Sequence, residues 1–281
     1  MNRVLSLLIP VLLNQNLVSS DVTDYRITTW NSEGYKLDKV FDLLDKDKSL
    51  NLVLVQECGN IADKNPGSII NPPVQFIMID GENEYDSAND GNYEIREYRT
   101  RSTQLFIYYF PAPKSVNQQF GLAIVTKQLA SEILYFASLH NHREIIDRKE
   151  RSFINRPIVG LVFGTNDIFL NFHAEPTRNN EVLLQLNAIK TYMSRYKPNA
   201  SWMLGADFNR EPGDVTLDPH HERLIHPSQN TRRNRIIDYF IYGSANRNVF
   251  ARMAKKPHTT TINAKLVSDH KAVDFNPAPR G

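Results

Sequence analysis

Apolar, β-rich runs recur along the whole chain and leave it few ways to fold. They span Tyr25 to Trp30, Leu52 to Val55, Leu105 to Phe110, Leu122 to Thr126, Ile133 to Ala137, Ile158 to Phe163, Ile168 to Phe172, Ser201 to Leu204 and Ile236 to Tyr242. Many are apolar at nearly every position, as strands covered on both faces are. Two segments have helical period instead: Leu37, Val40, Phe41 and Leu44 share one face, as do Val182, Leu186, Ile189 and Met193. Asn179 or Asn180 could cap the second helix. Many strands interleaved with few helices predict sheets packed on each other with helices outside, an α/β sandwich. No repeat or Pro/Gly/Ser-rich linker divides the 281 residues, of which 41% are hydrophobic, so one domain over residues 21–281 is expected.

Residues 1–20 have the pattern of a secretory signal peptide. Arg3 precedes the apolar run Val4 to Leu13, and Val18-Ser19-Ser20 supplies small residues at a cleavage point. That run is too short to span a bilayer, so a soluble mature chain starting near Asp21, without a transmembrane anchor, is expected. Cys58 is the only cysteine, which rules out an internal disulfide, and its place after an apolar run suits a buried structural thiol.

A net charge of +2 does not by itself argue for a polyanionic partner. The distribution says more: Arg232, Arg233, Arg235, Arg247, Arg252 and Lys255 lie between Arg223 and Lys256 with Asp238 as the only acid. A basic segment beside acidic residues suits a phosphate-rich substrate. The acidic loop Asp80 to Glu97 partly matches a calcium loop, but Ala88 stands where a ligand belongs and no helical pattern flanks it. The charged segment His140 to Arg151 reads as a solvated excursion between strands or as a partner contact.

Polar residues gather where the apolar runs end. The clearest case is Trp202-Met-Leu-Gly-Ala-Asp207-Phe-Asn209-Arg-Glu-Pro212. If the strand persists to Asn209, the two polar side chains project from one face; otherwise the pattern is an Asx-type turn leaving a sheet. Asn31 follows Trp30, Gln56 and Glu57 follow Val55, His173 follows Phe172, Asp238 follows Ile237, and Asp269-His270 precedes the last apolar residues.

This set, in this order, resembles the endonuclease/exonuclease/phosphatase superfamily typified by deoxyribonuclease I, and within it the catalytic components of cytolethal distending toxins. The resemblance covers Tyr25 to Phe275. It rests on Thr29-Trp30-Asn31, Val55-Gln56-Glu57, Asn155-Arg156-Pro157, Phe172-His173-Ala174, Arg178-Asn179-Asn180, Asp207-Phe208-Asn209-Arg210-Glu211-Pro212, Ile237-Asp238-Tyr239 and Ser268-Asp269-His270. It implies a four-layer α/β sandwich of two packed, mainly antiparallel sheets with outer helices. It also implies a secreted, magnesium-dependent DNA endonuclease that damages host DNA, a monomeric catalytic component carried by separate binding components to the nucleus of a target cell.

Phosphodiester hydrolysis needs an activated water, charge relief on the phosphoryl oxygens and help for the leaving oxygen. Glu57 suits a magnesium ligand, since magnesium takes oxygen donors and few carboxylates. Asn31 and Asp269 would complete or flank that site, as the resemblance implies. His173 and His270 suit acid/base work because imidazole titrates near neutrality. By the same likeness His270 would deprotonate the attacking water, Asp238 would orient its other ring nitrogen, and His173 would protonate or stabilise the leaving oxygen. Asp207 and Asn209 would bind the water and a phosphoryl oxygen, with Arg156 and Asn180 as further phosphate contacts.

The chain departs from the toxin pattern in several places. Gln119 stands where an arginine is common, Gly205-Ala206-Asp207 is lengthened by an alanine or shifted, and His140 to Arg151 has the look of an insertion. Loss of a phosphate contact at Gln119 would favour a phosphoinositide substrate, while the lack of an amphipathic membrane-docking stretch counts against it. A catalytically silent binding protein on the same scaffold would have lost at least one of Glu57, His173, Asp207, Asp238 or His270, and all are present.

Overall fold

Two eight-stranded sheets lie face to face. The computed structural model describes residues 21–61, 64–80, 83–86, 93–112, 121–137, 142–146, 149–153, 156–177 and 180–278. The expected signal segment, Gln119, Asn155, Arg178, Asn179 and the centre of the acidic loop lie outside these described residues. The first sheet runs His258–Asn263, Ala272–Pro277, Arg26–Asn31, Leu50–Gln56, Leu122–Thr126, Gln104–Phe110, Glu94–Arg99 and Ser68–Ile69. The second runs Glu222–Ile225, Asp238–Gly243, Ser201–Asp207, Asp167–His173, Ile158–Phe163, Glu132–Phe136, Gln75–Asp80 and Asn83–Asp86. Among the described residues pairing is antiparallel except between Arg26–Asn31 and Leu50–Gln56, Asp167–His173 and Ser201–Asp207, and Gln75–Asp80 and Glu132–Phe136. The sandwich of mainly antiparallel sheets is therefore as expected.

Three apolar clusters make the layers. Ile27, Leu52, Leu54, Phe169, Met203, Phe240 and Tyr242 fill the seam between the sheets. Helix Leu37–Lys46 covers the outer face of the first sheet through Leu37, Val40, Phe41 and Leu44, which pack with Trp30, Val53 and Val55. Helix Glu181–Tyr196 covers the second through Val182, Leu186, Ile189 and Met193 against Leu170, Trp202 and Leu204. Both amphipathic faces are those the sequence predicts. Asn180 occupies the N-cap of the second helix, but its side chain makes no capping hydrogen bond. Cys58 is fully buried among the outer apolar residues of the first sheet, as expected, and burial pushes its thiol pKa up.

A third helix, Arg247–Ala254, is absent from the sequence expectation. Asn246 caps it by accepting from the Asn248 and Val249 amides, and Phe250 and Met253 bury against the seam. Its Arg247, Asn248 and Arg252 make the stretch read as basic surface in sequence. Strands such as Glu94–Arg99 and His258–Asn263 are missed for a similar reason, since only alternate side chains of His258–Asn263 lose much solvent and it lies at a sheet edge. The charged excursion around residue 145 is a separate two-stranded ribbon, His142–Ile146 with Lys149–Phe153. No helix of the described residues is long and apolar enough to cross a membrane.

The period of two along each strand positions the site. Residues facing the seam run Ile27, Thr29, Asn31 on one strand and Leu52, Leu54, Gln56 on its neighbour. In the other sheet they run Phe169, Asn171, His173, then Met203, Gly205, Asp207, then Tyr242, Phe240, Asp238. Every series starts apolar and ends polar at the same end of the sandwich. Cross-strand register puts Asn31 opposite Gln56, and His173, Asp207 and Asp238 in one row.

Candidate active site

At that end the inner faces become a buried polar cluster. His270 Nδ1 lies 2.9 Å and 3.0 Å from the two carboxylate oxygens of Asp238. Its Nε2 faces Asp207 Oδ2 at 3.7 Å. His173 Nε2 approaches the same Asp207 oxygen, and Glu57 Oε1, at 3.6 Å each. Asn31 Nδ2 donates to Glu57 Oε1 and to Asp207 Oδ2, both at 3.0 Å. One carboxamide from the first sheet thus ties a carboxylate of each sheet together.

Side chains behind the cluster hold it in place. Ser268 Oγ accepts from the His270 N–H and from Trp30 Nε1, which fixes the His270 backbone against the first sheet. Thr231 Oγ1 accepts from the amides of Ile237 and Asp238. Gln56 Nε2 donates to Asn171 Oδ1 and Thr29 Oγ1, and Asn171 Nδ2 donates to the carbonyls of Val55 and Ala123. This polar seam fixes the register of one sheet on the other immediately beneath the site. Burial makes such groups costly unless paired, and their pairing makes the arrangement specific.

Asp207 reaches the site by strand alternation, and Asn209 by a different route. The strand ends at Asp207, and Asn209 turns back with φ of 51°. Its N–H donates to Asp207 Oδ1 at 2.9 Å, an Asx turn, while its Nδ2 donates to the Ala174 carbonyl at 2.9 Å. The turn reading holds, and the turn still keeps Asn209 against Asp207 at the strand end. Glu57 also has a left-handed backbone, with φ of 50°. Non-glycine residues in that region cost about 1–3 kcal/mol each and gather where geometry serves function.

The remaining candidates lie at the rim. Asp269 Oδ2 pairs with Arg232 Nη2 at 2.8 Å, and its other oxygen is 3.7 Å from His270 Nε2. Arg156 lies beside His173: its Nη1 donates to the His173 and Ala174 carbonyls at 3.4 Å, and Nη2 pairs with Glu175 at 2.9 Å. Glu181 accepts from the Arg156 and Glu175 amides, and Gln185 Nε2 donates to the Arg156 carbonyl. Glu175, Glu181 and Gln185 escape the sequence reading because acids and amides at a helix start look like ordinary surface. Among the described residues Asn180 joins no hydrogen bond of the cluster; it lines a cavity of about 180 Å³ with Arg210 and Asp214.

The electrostatics divide the groups. Burial raises the Asp207 pKa above the usual carboxylate range, and the Asp238 charge adds to it. Burial holds the His173 pKa well below the usual imidazole value, reinforced by Arg156, His270 and Arg232. Burial would depress His270 too, but the hydrogen bond and charge of Asp238, with the Asp207 charge, outweigh it and raise its pKa. Crowded carboxylates in a buried site are chemistry that a hard divalent cation relieves. Asp207, Asp238 and His270 offer ligand atoms within 4.8 Å of one another, and Glu57 adds an oxygen beside Asp207. Asn31 presents nitrogen to the carboxylates, because its oxygen accepts from the Glu33 N–H.

No family model matches the chain. It is 23% identical over 251 residues to CdtB, the cytolethal distending toxin component of that name from Escherichia coli, spanning 80% of this chain and 81% of that protein. The chain is similar to CdtB. Among solved structures, a chain of the Haemophilus ducreyi cytolethal distending toxin superposes with a TM-score of 0.65 at 24% identity, covering 91% of this chain and 99% of that one. A chain of the Actinobacillus actinomycetemcomitans toxin does so with a TM-score of 0.68 at 24% identity, covering 92% and 99%. The shared architecture is the sandwich described above, nearly end to end of the toxin chains.

Proposed function

We propose that this protein is a secreted, magnesium-dependent DNA endonuclease of the cytolethal distending toxin type. The observation that carries the reading is the convergence of His270 on Asp238 and Asp207, with His173 and Glu57 on the far side of Asp207. An imidazole held by a carboxylate behind it, with its other ring nitrogen turned to a polar cluster, is the arrangement of a general base. His270 Nε2 accepts a proton from the attacking water, and Asp238 fixes the ring and stabilises the imidazolium that forms. Asp207 and Asn209 position the water and a phosphoryl oxygen. His173 stands on the opposite side of Asp207, where it protonates or stabilises the leaving oxygen, and Arg156 and Asn180 serve as further phosphate contacts.

Magnesium, when bound, supplies charge relief on the phosphoryl and leaving oxygens. Glu57 would hold it, with Asn31 and Asp269 completing or flanking that site. The similarity to CdtB supports delivery by separate binding components and action in the nucleus of a target cell, and the pattern of residues 1–20 supports a cleaved signal segment ahead of one catalytic unit over residues 21–281.

The test incubates purified protein with supercoiled plasmid, with magnesium and with chelator, beside the His173→Ala and His270→Ala variants. Nicking by the wild type with magnesium alone is expected. Equal nicking by wild type and variants sinks the assignment. A phosphoinositide substrate in parallel separates a lipid phosphatase, which would release phosphate from it and leave the plasmid intact.

A further inference from the structure

The loop from Thr231 to Arg235 ties the two sides of the site together. Thr231 anchors it to Asp238 through the amide bonds described above, and its carbonyl accepts from Lys271 next to His270. Arg232 forms an antiparallel bridge with His270, and its guanidinium is spent on Asp269. Arg232 and Arg235 exchange backbone hydrogen bonds of 3.1 Å and 2.9 Å, so Arg233 and Asn234 form the tip of a tight turn. Arg235 leans the other way, with Nε 3.3 Å from Glu211 and Nη2 donating to the Asn209 carbonyl.

Arg233 is what remains. It is exposed, its φ is 47°, and among the described residues no carboxylate lies within ion-pair distance of it. A left-handed position is one where glycine, asparagine or aspartate rests at least cost. The protein instead holds an arginine there, with no side-chain hydrogen bond or ion pair in compensation among the described residues, on a loop braced to His270 on one side and Asn209 on the other. A strained residue whose surroundings fix its place is a pointer to function. The two neighbouring arginines are neutralised by Asp269 and Glu211, so Arg233 carries the loop's uncompensated charge to the rim. A guanidinium there matches a phosphate better than an ammonium would.

We propose that Arg233 grips a backbone phosphate of duplex DNA flanking the scissile one, an inference that rests on the nuclease reading above. A phosphate contact positions the duplex and does not read bases, so its loss weakens all sequences alike. Each such contact also releases counterions, which gives it a signature in salt.

The test measures duplex binding by wild type, Arg233→Asn and Arg233→Lys across a salt series with chelator present, then plasmid nicking with magnesium and thermal melting. For Arg233→Asn the expected result is binding weaker by roughly tenfold, a log–log salt slope smaller by about one, and a KM that rises more than kcat falls. Its melting midpoint holds or rises, since asparagine relieves the backbone, and Arg233→Lys keeps the wild-type slope. Wild-type nicking with an unchanged slope and KM in Arg233→Asn overturns the inference alone. So does a loss of binding that comes with a lowered melting midpoint, which would mark a structural residue. A wild type that neither binds nor nicks the duplex overturns the nuclease reading itself.

Discussion

His270 and His173 face the same Asp207 oxygen from opposite sides, at 3.7 Å and 3.6 Å, yet their surroundings push them in opposite directions. Behind His270 stands the Asp238 carboxylate, and its pKa rises; beside His173 stands the Arg156 guanidinium, and burial with that charge drives its pKa down. Distance to the shared acid does not distinguish the two rings. The group behind each ring does: Asp238 helps raise the pKa of His270, and Arg156 adds to the lowering of that of His173. The largest test of that contrast removes one side. His270→Ala is expected to lower plasmid nicking by about 10³–10⁴-fold, within the range of a positioned acid/base group, and Asp238→Asn by about 10²–10³-fold. Single-turnover nicking rates measure both, and an Asp238→Asn enzyme with wild-type rates would end the distinction.

A second test acts on the seam that fixes the two rings relative to each other. His173 ends a strand of the second sheet, while His270 is braced to the first through Ser268. Asn171 links the sheets by donating to the Val55 and Ala123 carbonyls. Asn171→Ala leaves both carbonyls buried without that donor and is expected to cost about 3 kcal/mol in urea unfolding. Nicking should fall as well, since a shift in sheet register moves both halves of the site. Unchanged stability would show that the seam is not what sets their spacing.

The pH profile sharpens the assignment of roles. A general base must be neutral to accept a proton. His270 is raised above the ordinary imidazole value, so a rate that depends on it climbs as pH rises through that higher value. If His173 were the base, its depressed pKa would leave the rate flat from about pH 6 upward. Wild-type kcat/KM measured from about pH 5.5 to 9 is expected to rise by about tenfold per unit on its acid limb, and Asp238→Asn to move that limb to lower pH. A limb that stays in place in the variant refutes the part given to Asp238.

How much of this could be read in the chain itself differs between the layers and the site. The amphipathic face of Glu181–Tyr196 and the apolar run of Ile158–Phe163 are legible because packing repeats the same requirement at every turn or every second residue. Edge strands such as His258–Asn263 are not, because half their side chains meet water. The site residues are legible as polar groups closing apolar runs, but their grouping depends on cross-strand register, which no local pattern encodes. Gly205 shows the limit. In sequence, Gly205-Ala206 reads as an insertion or a shift; in the structure a Cβ at Gly205 would sit 2.6 Å from Leu54 Cδ1 and 3.0 Å from Thr29 Cβ, so close approach of the sheets requires the glycine. Nor does the sequence show that Asn209 returns by a left-handed turn or that Glu181 holds Arg156, since both depend on tertiary contacts.

The smallest expected effect is on stability, and it isolates the His173 side. A histidine whose folded pKa lies below its unfolded value of about 6.5 binds its proton first in the unfolded chain, so stability is lost as pH falls below that value. His270, raised in the folded state, contributes stability that is fully present below about pH 6.5 and is lost as pH rises through its folded value. Asp207, also raised, opposes His173 at acid pH, because the folded state there binds the extra proton. The His173 contribution therefore has to be read as a difference. His173→Gln cannot titrate, so the unfolding free energy of wild type minus variant should shrink by up to about 1.4 kcal/mol per unit between pH 6.5 and 5. Above pH 7 the difference should be level. A difference that holds constant down to pH 5 would mean that His173 takes up its proton in the folded protein as readily as in the unfolded one, and the contrast between the two rings would then have no thermodynamic basis.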